Sequence, residues 1–120
     1  MRQPIFDVTK AQPPIVGELA YRRAHFRLPK EQKTVYLTFD DGPVPIYTPQ
    51  VLNILQEYNV PATFFMVGEN AERYPELLAR VREEGHAIGN HTYHHLKGYK
   101  TCTSTYLEDV KNAEVIITKN

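Results

Sequence analysis

The sequence predicts an α/β fold of parallel strands, an incomplete (β/α) barrel of about three β/α units. Three observations lead there. From Thr34 onward, short β-branched and aromatic runs alternate with longer stretches of helical period, in the order β-α-β-α-β-α. Alternation of this kind calls for parallel strands joined by helical crossovers. Three strands fall short of the roughly eight that close a barrel, so the chain reads as the first part of one.

Each element has its own signal. "TVYLTF" (Thr34–Phe39) is short, β-branched and aromatic, and predicts a buried strand. "DDGPVP" stops it, because Gly42 permits positive φ and Pro43 and Pro45 cannot donate to a ladder. Thr48 is placed to cap the next helix, with Pro49 at its first position. Val51, Leu52, Leu55 and Tyr58 share one stripe of that helix. "PATFFMVG" predicts the second strand. "YPELLARVREEG" predicts a helix opened by Pro75 and closed by Gly85, with Leu77, Leu78 and Val81 inward. "AIGN" is a short third strand that runs into "HTYHH". The last helix is expected near Thr105, where Thr105 and Glu108 fit a capping box, with Leu107, Val110, Ala113 and Ile117 as its apolar face. Residues 1–33 hold Pro4, Pro13, Pro14 and Pro29 with no sustained period, and read as an irregular lead.

Composition narrows the partners. Fourteen basic and 14 acidic residues give a formal net charge of zero, which argues against nucleic acid or an anionic membrane held by bulk charge. Arg22, Arg23, Arg27 and Lys30 form a local basic patch that reads as a solvated surface. No run approaches the roughly 18 apolar residues of a membrane span. The opening "MRQPIFDVTK" lacks the apolar stretch of a signal peptide, so a cytoplasmic location is the expectation, with the cell envelope or an extracellular location as the alternative. Cys102 is the single cysteine; it excludes an intramolecular disulfide and reads as a small buried apolar residue.

The unusual residues gather at strand ends, where parallel α/β folds keep their functional groups. Asp40 and Asp41 end the first strand; Asn90 and His91 end the third. Two adjacent carboxylates repel, so a turn, a cation or a reaction that uses both must make the pair tolerable. His91 and His95 are four apart, so one helical turn would set both imidazoles on one side. With one carboxylate added, two His and one Asp bind a metal with coordination positions left open, as hydrolytic chemistry requires. Taken alone, H-x-x-x-H is most often a surface accident, and Asp-Asp before Gly-Pro a turn. Together at matching strand ends, they favour the metal. On a helical turn His94 faces elsewhere and is not a ligand. His25 and His86 lack local partners and read as surface or core histidines.

These residues carry a resemblance. "TFDDGP" at Thr38–Pro43 and "HTYHH" at His91–His95 resemble the first two motifs of the polysaccharide deacetylases, the NodB-homology group or carbohydrate esterase family 4. "VPATFFMVG" at Val60–Gly68 and "EEGHAIGNHT" at Glu83–Thr92 are similar to that family's connecting sequence. The resemblance runs from Thr34 to about Asn120. It implies a deformed (β/α) barrel of the NodB-homology type and a divalent metal, usually zinc, sometimes cobalt or nickel. It also implies an acetylated glycan as substrate: N-acetyl groups of chitin oligomers or peptidoglycan, or O-acetyl groups of xylan. Carried over residue by residue, it makes Asp40 the general base, Asp41 the carboxylate ligand, and His91 and His95 the other metal ligands. A metal that binds one carboxylate would make the pair tolerable and lower the pKa of both. Asp40 would then accept the proton of the attacking water.

The family's three later motifs, an Arg-Pro segment, an Asp and Trp segment and a Leu-x-His segment, have no match here. The sequence has no tryptophan, and no histidine follows His95. The expectation is therefore an irregular lead over residues 1–33 and, over residues 34–120, the N-terminal portion of a deacetylase catalytic domain that acts with the later segments present. The alternative is a non-catalytic metal- or glycan-binding fragment that forms a homo-oligomer through an exposed sheet edge. An iron oxygenase site uses the same two-His-one-carboxylate set, but its usual antiparallel surroundings conflict with the β-α order.

Overall fold

The computed structural model describes residues 34–119. The irregular lead, its basic patch and His25 lie outside the described residues. The elements are β1 (Thr38–Gly42), α1 (Tyr47–Tyr58), β2 (Thr63–Met66), α2 (Gly68–Arg73), α3 (Pro75–Glu83), β3 (Ala87–Asn90), a short 3-10 turn (Gly98–Lys100) and α4 (Thr103–Ile117). All strand pairs are parallel, in the order β1-β2-β3. The predicted α/β class and three parallel units are therefore present. Among the described residues no helix is long and apolar enough to cross a membrane.

The middle strand explains the core. Along β2, Phe64 and Met66 are buried while Thr63 and Phe65 are half-buried, the alternation a pleated strand imposes. Phe64 stacks on Phe39 of β1 with ring centroids 5.1 Å apart. Leu52 and Leu55 of α1, Leu78 and Val81 of α3, Ala71 of α2 and Ile117 of α4 close over the same cluster. Pro75 stands in the first turn of α3 and Gly85 follows it at φ +84°, so its start and stop signals act as predicted.

Several expectations are corrected. β1 spans Thr38 to Gly42 rather than starting at Thr34, and Val35 and Tyr36 are 73% and 66% exposed. The register Thr38↔Thr63 puts Tyr36 opposite Pro61, which has no N–H to extend the ladder. Thr48 does not cap α1: its hydroxyl accepts the Val44 N–H at 2.8 Å and its own N–H donates to the Val44 carbonyl at 3.0 Å. That reciprocal pair closes the loop after β1, and Pro49 falls to the third helical position, still within the turn whose N–H groups lack intrahelical partners. Tyr58 is exposed, because left-handed Asn59 turns the chain back and Val60 takes the place against the core.

α2 was not anticipated; it occupies the segment between β2 and the predicted helix of the second unit, α3. α4 starts two residues before Thr105, and no side-chain cap forms there, since the Thr105 hydroxyl lies 3.0 Å from the Cys102 sulfur instead. Leu107 is exposed, about 120° around the helix from buried Ala113. Cys102 is exposed rather than buried, because it precedes the first turn of α4 instead of packing under it. His86 is half-buried, accepts the Ala62 N–H on Nδ1 at 3.2 Å and lies near Phe64.

Candidate metal centre

The adjacent carboxylates are separated by a break in the ladder. Asp40 pairs with Phe65 and Gly42 with Met66, so Asp41 is an extra residue on β1. It adopts φ +69°, a left-handed conformation costly for most side chains other than Asn and Asp. In an unbroken strand neighbouring side chains point to opposite faces; the bulge cancels that alternation and turns Asp41 toward the end of β3. The Asn70 side chain of α2 donates to the Asp41 carbonyl at 2.9 Å and holds the bulge in place. Asp40 is exposed, and with Asp41 it lines a cleft of about 270 Å³ whose apolar wall includes Phe39, Tyr47 and Phe64.

His91 and His95 reach Asp41 by a route other than the predicted helical turn. Residues 91–97 form a loop without helix, with Thr92 at φ +64° and His95 at φ +55°. A helix would need the carbonyls of Thr92 and Tyr93, and these already accept the N–H groups of Gly68 and Glu69 at 2.9 and 3.0 Å. The Leu96 N–H goes to the Thr92 hydroxyl at 3.2 Å. Asn90 starts the loop: its side-chain Oδ1 accepts the Thr92 N–H at 2.9 Å, and its side-chain Nδ2 donates to the Val110 carbonyl of α4 at 2.8 Å. The Tyr93 hydroxyl is bonded to Glu72 of α2, which holds the phenol pKa above its ordinary value.

The result is a three-donor cluster. Nε2 of His91 and Nε2 of His95 each lie 3.2 Å from the same oxygen, Oδ1 of Asp41. The imidazoles are tilted by 34° with centroids 4.9 Å apart. All three donor atoms fall within 4.8 Å of one another. Two ligands about 2.1 Å from a tetrahedral ion stand about 3.4 Å apart, so the set fits one small divalent cation. A second cleft, about 170 Å³, opens beside the histidines and is walled by Leu96, Tyr106 and Val110. A cleft of about 540 Å³ between Leu55 and His86 lies at the opposite, amino ends of the strands, away from the three-donor cluster. His94 is not part of the cluster; its Nδ1 lies 2.5 Å from Oδ1 of Asp109.

Residues 27–120 match the family model for polysaccharide deacetylase. The chain belongs to the polysaccharide deacetylase family. It is 44% identical over 94 residues to a peptidoglycan-N-acetylglucosamine deacetylase of Bacillus cereus, covering 78% of this chain and 34% of that one. It is 47% identical over 78 residues to a chitooligosaccharide deacetylase of Sinorhizobium fredii, covering 65% and 36%. Among solved structures it resembles the Bc1960 peptidoglycan N-acetylglucosamine deacetylase, with a TM-score of 0.73 at 45% identity over 74% of this chain and 42% of that one. A family 4 carbohydrate esterase from Bacillus anthracis superposes with a TM-score of 0.78 at 33% identity, over 88% of this chain and 51% of that one. The chain thus spans about a third of the length of the curated relatives it matches, and its three parallel β/α units have the fold of an incomplete (β/α) barrel of the NodB-homology type.

Sequence reasoning passed over Asp109. It is 5% exposed on α4, among residues that otherwise form the apolar stripe Tyr106, Val110, Ala113 and Ile117. A charge inside a helical stripe was the available signal. Burial opposes its ionisation, and hydrogen bonds from His94 and Tyr93 outweigh that, holding the carboxyl below its ordinary value. Gly68 was also passed over: a Cβ there would stand 2.7 Å from the Tyr93 ring and 3.0 Å from the Cα of Ala113, so only glycine lets α2 approach the histidine loop this closely.

Proposed function

We propose that this chain supplies the metal site and general base of a hydrolase that removes N-acetyl groups from an amino-sugar glycan of the peptidoglycan or chitooligosaccharide type. The observation that carries the reading is the convergence of His91 and His95 on one oxygen of Asp41, with Asp40 beside it at the strand end. The likeness to enzymes named peptidoglycan and chitooligosaccharide deacetylases supports the substrate class.

Asp41, His91 and His95 hold a divalent cation, with Zn2+ as the expected ion given two imidazoles and one carboxylate. When bound, that ion polarises the acetyl carbonyl and lowers the pKa of water. Asp40 carries no ligand duty and accepts the proton from the attacking water. The C–N bond breaks, acetate leaves, and the sugar nitrogen gains a proton to become the free amine. The clefts on either side of the donors, one walled by Tyr47 and Phe64 and the other by Leu96 and Tyr106, give an acetamido group and its sugar apolar surface to rest on.

The test is acetate release from N-acetylated chitooligosaccharide and from peptidoglycan by the complete protein that carries this sequence. Activity that disappears on chelation and returns with Zn2+ is expected. Asp40→Asn should lower turnover by about 10²–10⁴ while Zn2+ binding stays intact. Undiminished turnover in that variant refutes the base assignment. Zn2+ or glycan binding without acetate release from either substrate favours a binding module instead.

A further inference from the structure

Among the described residues, Asp109 is the only buried side chain that carries a charge. A buried carboxylate costs several kcal/mol unless its oxygens are satisfied. Both oxygens are satisfied by one short segment. Oδ2 accepts the N–H of Tyr93 at 2.8 Å and of His94 at 2.9 Å, and Oδ1 lies 2.5 Å from Nδ1 of His94. Those two peptide groups sit midway between His91 and His95, in a loop that makes two left-handed excursions, at Thr92 and His95. The same carboxylate occupies His94, the middle histidine of "HTYHH", leaving His91 and His95 to meet Asp41.

We propose that Asp109 is a positioning residue for the metal site: it shapes the 91–95 loop before any metal arrives and holds His94 out of the donor set. The proposal rests on Asp41, His91 and His95 being the metal ligands. Asp109 touches neither metal nor substrate; it acts through the two amides and the His94 ring. Its role is geometric, so a neutral side chain of the same shape should serve. An asparagine in its place keeps an oxygen for the two N–H groups and offers its NH2 to the other tautomer of His94. An alanine leaves both amides without a partner and frees the His94 ring.

The experiment is calorimetric titration of Zn2+ into the full chain and its Asp109→Ala and Asp109→Asn variants, with melting curves to show that each is folded at the assay temperature. Asp109→Ala should bind Zn2+ about 10–100-fold more weakly, the usual cost of losing a partner that orients a ligand. Asp109→Asn should lose less than the lower end of that range. A merely structural role would lower the melting temperature and leave the Zn2+ affinity of the folded protein unmoved. Equal affinity in wild type and Asp109→Ala overturns the proposal, and so does an asparagine variant as weak as the alanine one. If Asp109→Ala fails to fold, amide exchange on the wild-type chain decides: the Tyr93 and His94 amides should be protected without metal. Free exchange until Zn2+ is added would mean that the metal, not Asp109, orders the loop. A wild-type chain that takes up no Zn2+ removes the metal site itself, and this proposal with it.

Discussion

Replacing Gly68 by alanine sets two effects of opposite sign against each other. Alanine is the better helix former by up to about 1 kcal/mol, and less at the first residue of α2, where Gly68 sits. Against that, the new Cβ would lie 2.7 Å from Cδ2 of Tyr93 and 3.0 Å from the Cα atoms of both Tyr93 and Ala113. Carbon atoms pack at about 3.5–4.0 Å, so α2 must retreat by about 0.5–1 Å. The Tyr93 ring can swing, but the Cα atoms belong to the histidine loop and to α4. Overpacking of this kind costs about 1–3 kcal/mol, and it wins over the propensity gain. The net loss of about 1–2 kcal/mol corresponds to a fall of about 4–15 °C in melting temperature for a domain of this size. The retreat also stretches the bonds from the Gly68 and Glu69 amides to the Thr92 and Tyr93 carbonyls, so Zn2+ affinity should fall with stability. Circular-dichroism melts and Zn2+ titrations of the full chain measure both. An alanine variant that melts at or above wild type refutes the steric reasoning, because helix propensity alone would then decide the sign.

Other outcomes follow from the same geometry. His91→Ala and His95→Ala should each weaken Zn2+ binding by more than the about 100-fold that losing an outer partner costs, with the affinity of His94→Ala well above both; equal losses in a three-way titration would reject the division of labour within "HTYHH". Gly89→Ala would bring a Cβ to 2.4 Å from the Phe65 ring, which faces His91 at a centroid distance of 6.5 Å, and should cost about 1–3 kcal/mol in denaturant melts; a neutral result would show that Phe65 swings aside freely. Hydrogen bonds from the Ser104 and Thr105 hydroxyls push the Cys102 thiol down to about 7. Only the thiolate alkylates, so the iodoacetamide rate should rise with pH and reach half its plateau near pH 7. A midpoint near the ordinary value of 9.0 would contradict those bonds, and Thr105→Ala should move the midpoint upward.

Much of this protein was legible in short windows of sequence. The strand Ala87–Asn90, the Pro75 and Gly85 that frame α3, and the parallel order of three β/α units rest on period, capping and breaking residues, whose physics acts over a few neighbours. The identities of Asp41, His91 and His95 were also legible, since residues at the carboxyl ends of parallel strands share one rim wherever the helices lie. How they meet was decided elsewhere. The extra residue in β1 exists only relative to the register with β2. The histidine loop stays out of a helix because its carbonyls bond to α2 and its amides to Asp109, 15 and 16 residues away. The Asp41 carbonyl is held by Asn70, 29 residues on. Local propensity cannot register bonds of that span. They form once β2 packs against its neighbours and brings the ends of α2 and α4 to one place, which is why the residue types of the Asp41, His91 and His95 cluster were set by sequence and their geometry by the tertiary fold.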